Sequence, residues 1–148
     1  MATHTPGFDP EQLSYAPKQY AYCLIIFRYA NIVVAMNSDE YASLFKCLSE
    51  PVRLRILFLL LDKGELCVCD IVDTLGLSQS VVSRHLAYLR NNNLLSTRRE
   101  GVWIYYQVIK ASPFIDNLLA LFHQSAENSV SLQADLKQFS TCANRDCT

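Results

Sequence analysis

Cys67 and Cys69, in the stretch Glu65-Leu66-Cys67-Val68-Cys69-Asp70, are the residues best equipped for chemistry. A thiolate is a nucleophile and a soft ligand, and it selects soft acceptors such as As(III), Sb(III), Cd(II), Pb(II) or Cu(I) over hard ions. Spacing decides whether two of them can share one ion. At i and i+2 on a regular helix they point about 200° apart, whereas on an extended segment they point the same way. Shared coordination is therefore expected only if Leu66 to Cys69 is extended, or if the following helix gives up its first turn. A helix N-terminus close by would favour thiolate. The plainer alternative is that both are small core residues, the usual place of a free cysteine. The chain has six cysteines and no secretory signal, which points to a reducing cytosol where thiols act as ligands or sensors rather than staples.

The residues after the thiol pair set its context. Asp70 to Leu75 suffices for one short helix, and Leu75-Gly76-Leu77 breaks it with the sharp turn of a helix-turn-helix. Ser78 is a suitable N-cap for a second helix. From Gln79 onwards the helical period puts Val82, Leu86 and Leu89 on one apolar face. Ser80, Ser83, Arg84 and Ala87 fall opposite, with Gln79 at the edge. Such a face suits the DNA major groove, where hydroxyl and amide groups meet base edges and arginine reaches guanine or phosphate; an ordinary solvated face would look similar. Leu94 to Arg99 and Val102 to Val108 alternate like strands about a Glu100-Gly101 turn, with Arg98 and Arg99 at the tip, placed to grip phosphate. A helix-turn-helix followed by a basic hairpin is a winged helix. The net charge of −1 does not suggest a nucleic-acid binder, but its distribution does. From Ser78 to Lys110, five basic residues face Glu100 alone, while the rest of the chain is net acidic.

The flanks complete a chain that is mainly α with one small β-hairpin, of a length for one ordinary domain. Ser38 to Leu48 is expected as a first helix with Ser38 as N-cap and Leu44, Phe45 and Leu48 inward. A central helix should run from Pro51 to about Asp62, stopped by Gly64. Pro113 opens a last helix with a stripe of Phe114, Leu118, Leu121 and Phe122, which is expected to continue from Glu127 to Phe139, leaving Thr141 to Thr148 as a loose end. Residues 36–125 then form the winged-helix domain, 126–148 a cysteine-bearing extension, and 1–35 an N-terminal arm. Tyr20 to Ala35 is apolar but interrupted by Arg28 and Asn31, which fails the length and charge test for a membrane span. Met36-Asn37-Ser38 leads straight into the first helix, which favours Met36 as the true start over an arm packed on a dimer.

The stretch ELCVCDIVDTLGLSQSVVSRHLAYLRNNNLL followed by REGVWIYYQV, with SEPVRLRIL just upstream, resembles the ArsR family of winged-helix metalloregulatory repressors. The likeness covers roughly Ser38 to Gln124, and the ELCVCD box is specific within that family. The resemblance implies a cytoplasmic homodimer, joined through its first and last helices. It would bind operator double-stranded DNA and leave it when a soft metal or metalloid, As(III) or Sb(III) first, binds Cys67 and Cys69. DNA contacts then fall to Gln79, Ser80, Ser83, Arg84, Arg98 and Arg99. One departure stands out. Arsenic-responsive members commonly carry a third cysteine where this chain has Val72, so a three-thiolate site needs another donor. Cys142 and Cys147 on the tail come first. Cys23 on the arm would match the cadmium- and lead-sensing members, and Cys47 is expected to be core. The family's second site, a zinc site on the last helix, is not matched, because Asp116 is followed at +2 by Leu118. His123 and Glu127 are expected as a surface pair, and His85 as a packing or phosphate-contacting residue.

Three further function classes stand beside this one, among them a winged helix used only for protein contacts, which would need no basic wing. A repressor of the same fold whose thiols sense oxidants or sulfur species would lose DNA without any inducer ion. An enzyme is disfavoured, since the chain has no C-x-x-C, no Ser/His/Asp set and no Gly-rich phosphate loop. No resident cofactor is expected.

Overall fold

The computed structural model describes residues 36–142. The arm with Cys23 and the end with Cys147 lie outside the described residues. Helix α1 (Ser38–Leu48) is capped by Asn37 rather than Ser38. The Asn37 side chain accepts the N–H groups of Asp39 and Glu40, each at 3.0 Å, and the Glu40 carboxylate accepts the Asn37 N–H at 2.7 Å, closing a capping box. Leu44 and Cys47 are buried, the latter as expected for core, but Phe45 is 53% exposed. Its position about 100° round from Leu44 turns it off the core face. Pro51 opens α2 (Pro51–Lys63), and Gly64 ends it at φ +82°, where only glycine is unstrained. Ile56 to Leu60 are buried in succession, so this helix is central to the core.

A strand unforeseen from the sequence follows: β1 (Leu66–Cys67). It is the third strand of an antiparallel sheet ordered β1-β3-β2. Helices α3 (Val68–Leu75) and α4 (Gln79–Asn91) form the helix-turn-helix, joined through Gly76 in the left-handed conformation at φ +64°. Helix α3 starts two residues earlier than its sequence suggested. Ser78 occupies the N-cap of α4, but its hydroxyl bonds that of Ser80 at 3.1 Å instead of capping the backbone. Val82, Leu86 and Leu89 are all buried, as their period requires. Strands β2 (Leu95–Glu100) and β3 (Trp103–Val108) form the wing. Glu100 pairs with Trp103, so the turn is Gly101-Val102, one residue later than expected.

Helix α5 (Pro113–Ala126) is capped by the Ser112 hydroxyl, which accepts the Ile115 N–H at 3.3 Å. Ile115 and Leu119 carry its burial, Phe114, Leu118 and Phe122 pack partly against the core, and Leu121 is 60% exposed. The chain does not continue as one helix. It breaks after Ala126 and resumes as α6 (Val130–Cys142), which packs on α3 and α2. Leu136 and Phe139 join the core from α6. No described helix is long and apolar enough to cross a membrane. The whole is a winged helix-turn-helix, mainly helical with one small sheet.

Candidate metal centre and nucleic-acid interface

The strand-to-helix junction solves the spacing problem of the two thiols in a way the sequence did not suggest. Cys67 ends β1 and serves as N-cap of α3, with extended backbone angles (φ −70°, ψ 150°), while Cys69 stands in the first helical turn. Neither a fully extended segment nor a lost turn is needed; the boundary falling between Cys67 and Val68 swings both sulfurs to one side. They lie 2.7 Å apart, the Cys69 thiol donating to the Cys67 sulfur. Asp70 adds an oxygen. Its carboxylate accepts the Cys67 backbone N–H at 3.2 Å, which fixes it at the same helix end. Ligand atoms of Cys67, Cys69 and Asp70 all lie within 4.8 Å of one another, with Cys67 buried and the other two half-buried. Among the described residues this is the one group with such spacing. Two sulfurs and an adjacent carboxylate at the positive end of a helix fit a soft or borderline cation or metalloid. Asp70 as a neighbouring donor was missed by sequence reasoning, although the capping-box spacing from Cys67 was a readable signal.

Cys47 and His123 lie apart from this group. Cys47 is fully buried in α1 and burial raises its thiol pKa, so it belongs to the core. His123 does not pair with Glu127. Its ring packs on Phe58, with centroids 5.4 Å apart, and its Nε2 lies 3.6 Å from the Asp62 carboxylate. Cys142 closes α6.

On α4, Gln79, Ser80 and Arg84 are exposed, while Ser83 and Ala87 are half-buried. His85 is half-buried beside Glu50, Arg53 and Arg84; burial lowers its pKa, Glu50 opposes the shift and the two arginines add to it. The two wing arginines differ. Arg98 is engaged by Glu65 at 2.7 Å and Glu100 at 2.6 Å and lies over the Tyr105 ring, 4.6 Å from its centroid. This pairing holds the Glu65 carboxylate below the usual range and raises the Arg98 pKa. Arg99 donates to the backbone carbonyl of Gly101 at 3.0 Å, on the opposite face of the hairpin. Tyr105 pairs with Cys67 on one side and Arg98 on the other, so the thiol site and the wing cation share one row of the sheet.

The family described as "Bacterial regulatory protein, arsR family" matches residues 50–97, from the start of α2 into the wing. HlyU from Vibrio cholerae N16961, a solved structure, is 38% identical with a TM-score of 0.54, covering 60% of this chain and 92% of that one. The chain belongs to the ArsR family. Among its ArsR-family relatives, the arsenic resistance transcriptional regulator ArsR1 of Pseudomonas putida is 45% identical over 76 residues, which is 51% of this chain and 59% of that protein. The chain spans little more than half the length of the curated arsenic regulators it matches. A possible ArsR-family regulator of Mycobacterium bovis, solved as a homodimeric winged helix-turn-helix DNA-binding domain, is 28% identical with a TM-score of 0.52. That likeness covers 78% of this chain and 91% of the other.

Proposed function

We propose that this ArsR-family protein is a homodimeric, cytoplasmic transcriptional repressor rather than an enzyme. In this reading it leaves its operator when a soft metalloid or metal, As(III) or Sb(III) first, binds Cys67 and Cys69. The observation that carries the reading is the pair of sulfurs 2.7 Å apart at the first turn of α3, the helix that supports α4. Names of relatives that refer to arsenic resistance support the choice of ion. Gln79, Ser80, Ser83 and Arg84 would meet the major groove, with Arg99 on phosphate; Arg98 would join once released from Glu65 and Glu100. The bound ion supplies a soft Lewis acid that ties two thiolates together. The protein's own part is to hold both sulfurs and the Asp70 carboxylate at the helix end, so that occupancy acts on α3 and through it on α4. In a dimer, both recognition helices must span successive major grooves about 34 Å apart, so a small rotation of each suffices to spoil the fit. The coupling against the DNA-bound state need be only about 1–3 kcal/mol, roughly 5- to 150-fold in affinity.

The same closeness of the sulfurs favours a second reading, in which the pair gives up two protons and two electrons to an oxidant and closes a disulfide. Cd(II) or Pb(II) control is the other alternative. Fluorescence anisotropy of the reduced protein on DNA from its own promoter tests all three. Under the metalloid reading, As(III) or Sb(III) releases the DNA and Cys67→Ser with Cys69→Ser abolishes release. Release by Cd(II) or Pb(II) alone moves the assignment to divalent ions. Release only by peroxide, reversed by a dithiol, establishes the redox reading. No release by any of these returns the thiols to a packing role.

A further inference from the structure

Between Ser78 and Lys110 the one acidic residue is Glu100, so a cation on the wing would be expected to stand almost free. The fold brings a second acid to Arg98 from 33 residues away. Glu65 stands directly before β1, the strand that ends in Cys67. In the sheet order β1-β3-β2, Cys67 pairs with Tyr105 and Tyr105 pairs with Arg98. The Arg98 side chain therefore starts on β2, passes over the Tyr105 ring on β3 and meets the carboxylate beside β1. Two strand spacings, about 10 Å in all, are bridged in this way.

Every nitrogen of the Arg98 guanidinium is taken. Nε donates to Glu65 Oε1 at 3.0 Å and Nη2 to Glu65 Oε2 at 2.7 Å, a two-pronged contact. Nη1 donates to Glu100 Oε2 at 2.6 Å, and the flat group lies over Tyr105, 4.6 Å from the ring centroid. A guanidinium fork fits carboxylate and phosphate in the same way, and the same prongs cannot hold both. Arg99 is held differently, by the neutral carbonyl of Gly101, which a phosphate displaces without separating two charges. A lone exposed ion pair is weak, but here a bidentate acid, a second acid and an aromatic face all act on one cation.

We propose that Glu65 is an internal competitor of operator phosphate for Arg98, an autoinhibitory contact that holds the wing cation in reserve and limits the grip on DNA. The proposal rests on the DNA-binding part of the function proposed above and needs no inducer. It also anchors the restraint on the wing in the strand that carries Cys67, two residues on from Glu65. Fluorescence anisotropy of the reduced, ion-free, full-length protein on DNA from its own promoter, at low salt, tests it. Glu65→Gln keeps the shape of the side chain and removes its charge. It should raise affinity about 2- to 5-fold, the size of one exposed ion pair that no longer has to be broken. The gain must depend on the arginine, so the same change made in an Arg98→Ala background should give a smaller one. A gain no smaller in that background is what removal of any acid near DNA would produce, and it would overturn the proposal. Unchanged or weaker binding by Glu65→Gln in the Arg98 chain would overturn it as well. Failure of the unaltered chain to bind the promoter would instead sink the DNA-binding reading itself.

Discussion

Cys67 stands where a serine or threonine ordinarily caps a helix, and this placement lets an i, i+2 pair face one ion. The carboxylate of Asp70 holds the Cys67 N–H, so the cap and the ligand set are built from the same three residues. His85 gives a test at this scale. Burial favours its neutral form in the folded chain, so the unfolded chain takes up the proton first as pH falls. Its contribution is fully present above the ordinary histidine range of about 6.5, and it is lost as pH drops from there towards the lower folded value. Thermal melts between about pH 7.5 and 5 should show a shallower loss of stability in His85→Gln than in the unaltered chain. Parallel curves would remove His85 from the account.

Elements are held by a few contacts between residues far apart in the chain. Asp135 on α6 is 5% exposed and carries a charge, which only the two-pronged contact with Arg55 makes tolerable. The pairing raises the Arg55 pKa, and Arg55 in turn reaches the last carbonyl of α3. Asp135→Asn keeps the shape and removes the charge. It is expected to cost about 1–3 kcal/mol in urea unfolding, the size of a charged hydrogen bond lost from a buried site. A cost near zero would mean that α6 is held by Leu136 and Phe139 alone. The wing shows the same logic with opposite effect: Glu65 and Glu100 occupy Arg98, so that strand pairing brings acid and base together and leaves Arg99 as the more available cation.

At the scale of the whole molecule, Phe45 on α1 and Leu121 on α5 are the large apolar side chains left exposed on the helices that flank the reading head. If the repressor acts as a dimer through these two helices, Phe45→Glu with Leu121→Glu should convert it to monomer in sedimentation. DNA binding should weaken strongly, because a single head grips one half-site only. Retention of the dimer would place the interface elsewhere.

Local periodicity and caps made much of this protein legible in its sequence. The apolar Val82-Leu86-Leu89 face, the Gly64 and Gly76 stops and the proximity of thiols to a helix start follow from interactions within a few residues. Other features depended on partners distant in the chain. Strand β1 is two residues long, too short for any period, and exists because β3 offers it a paired edge. Phe45 and Leu121 lie on helical stripes, yet face outward because a neighbouring residue packs better against α2 and the core. The seating of α6 against α2 draws on the Arg55–Asp135 pair, joining residues 80 apart. The thiol pair could be read from the sequence, but the seating of α6 on α3 and α2 could not, because that depends on where distant charges and apolar side chains find burial together.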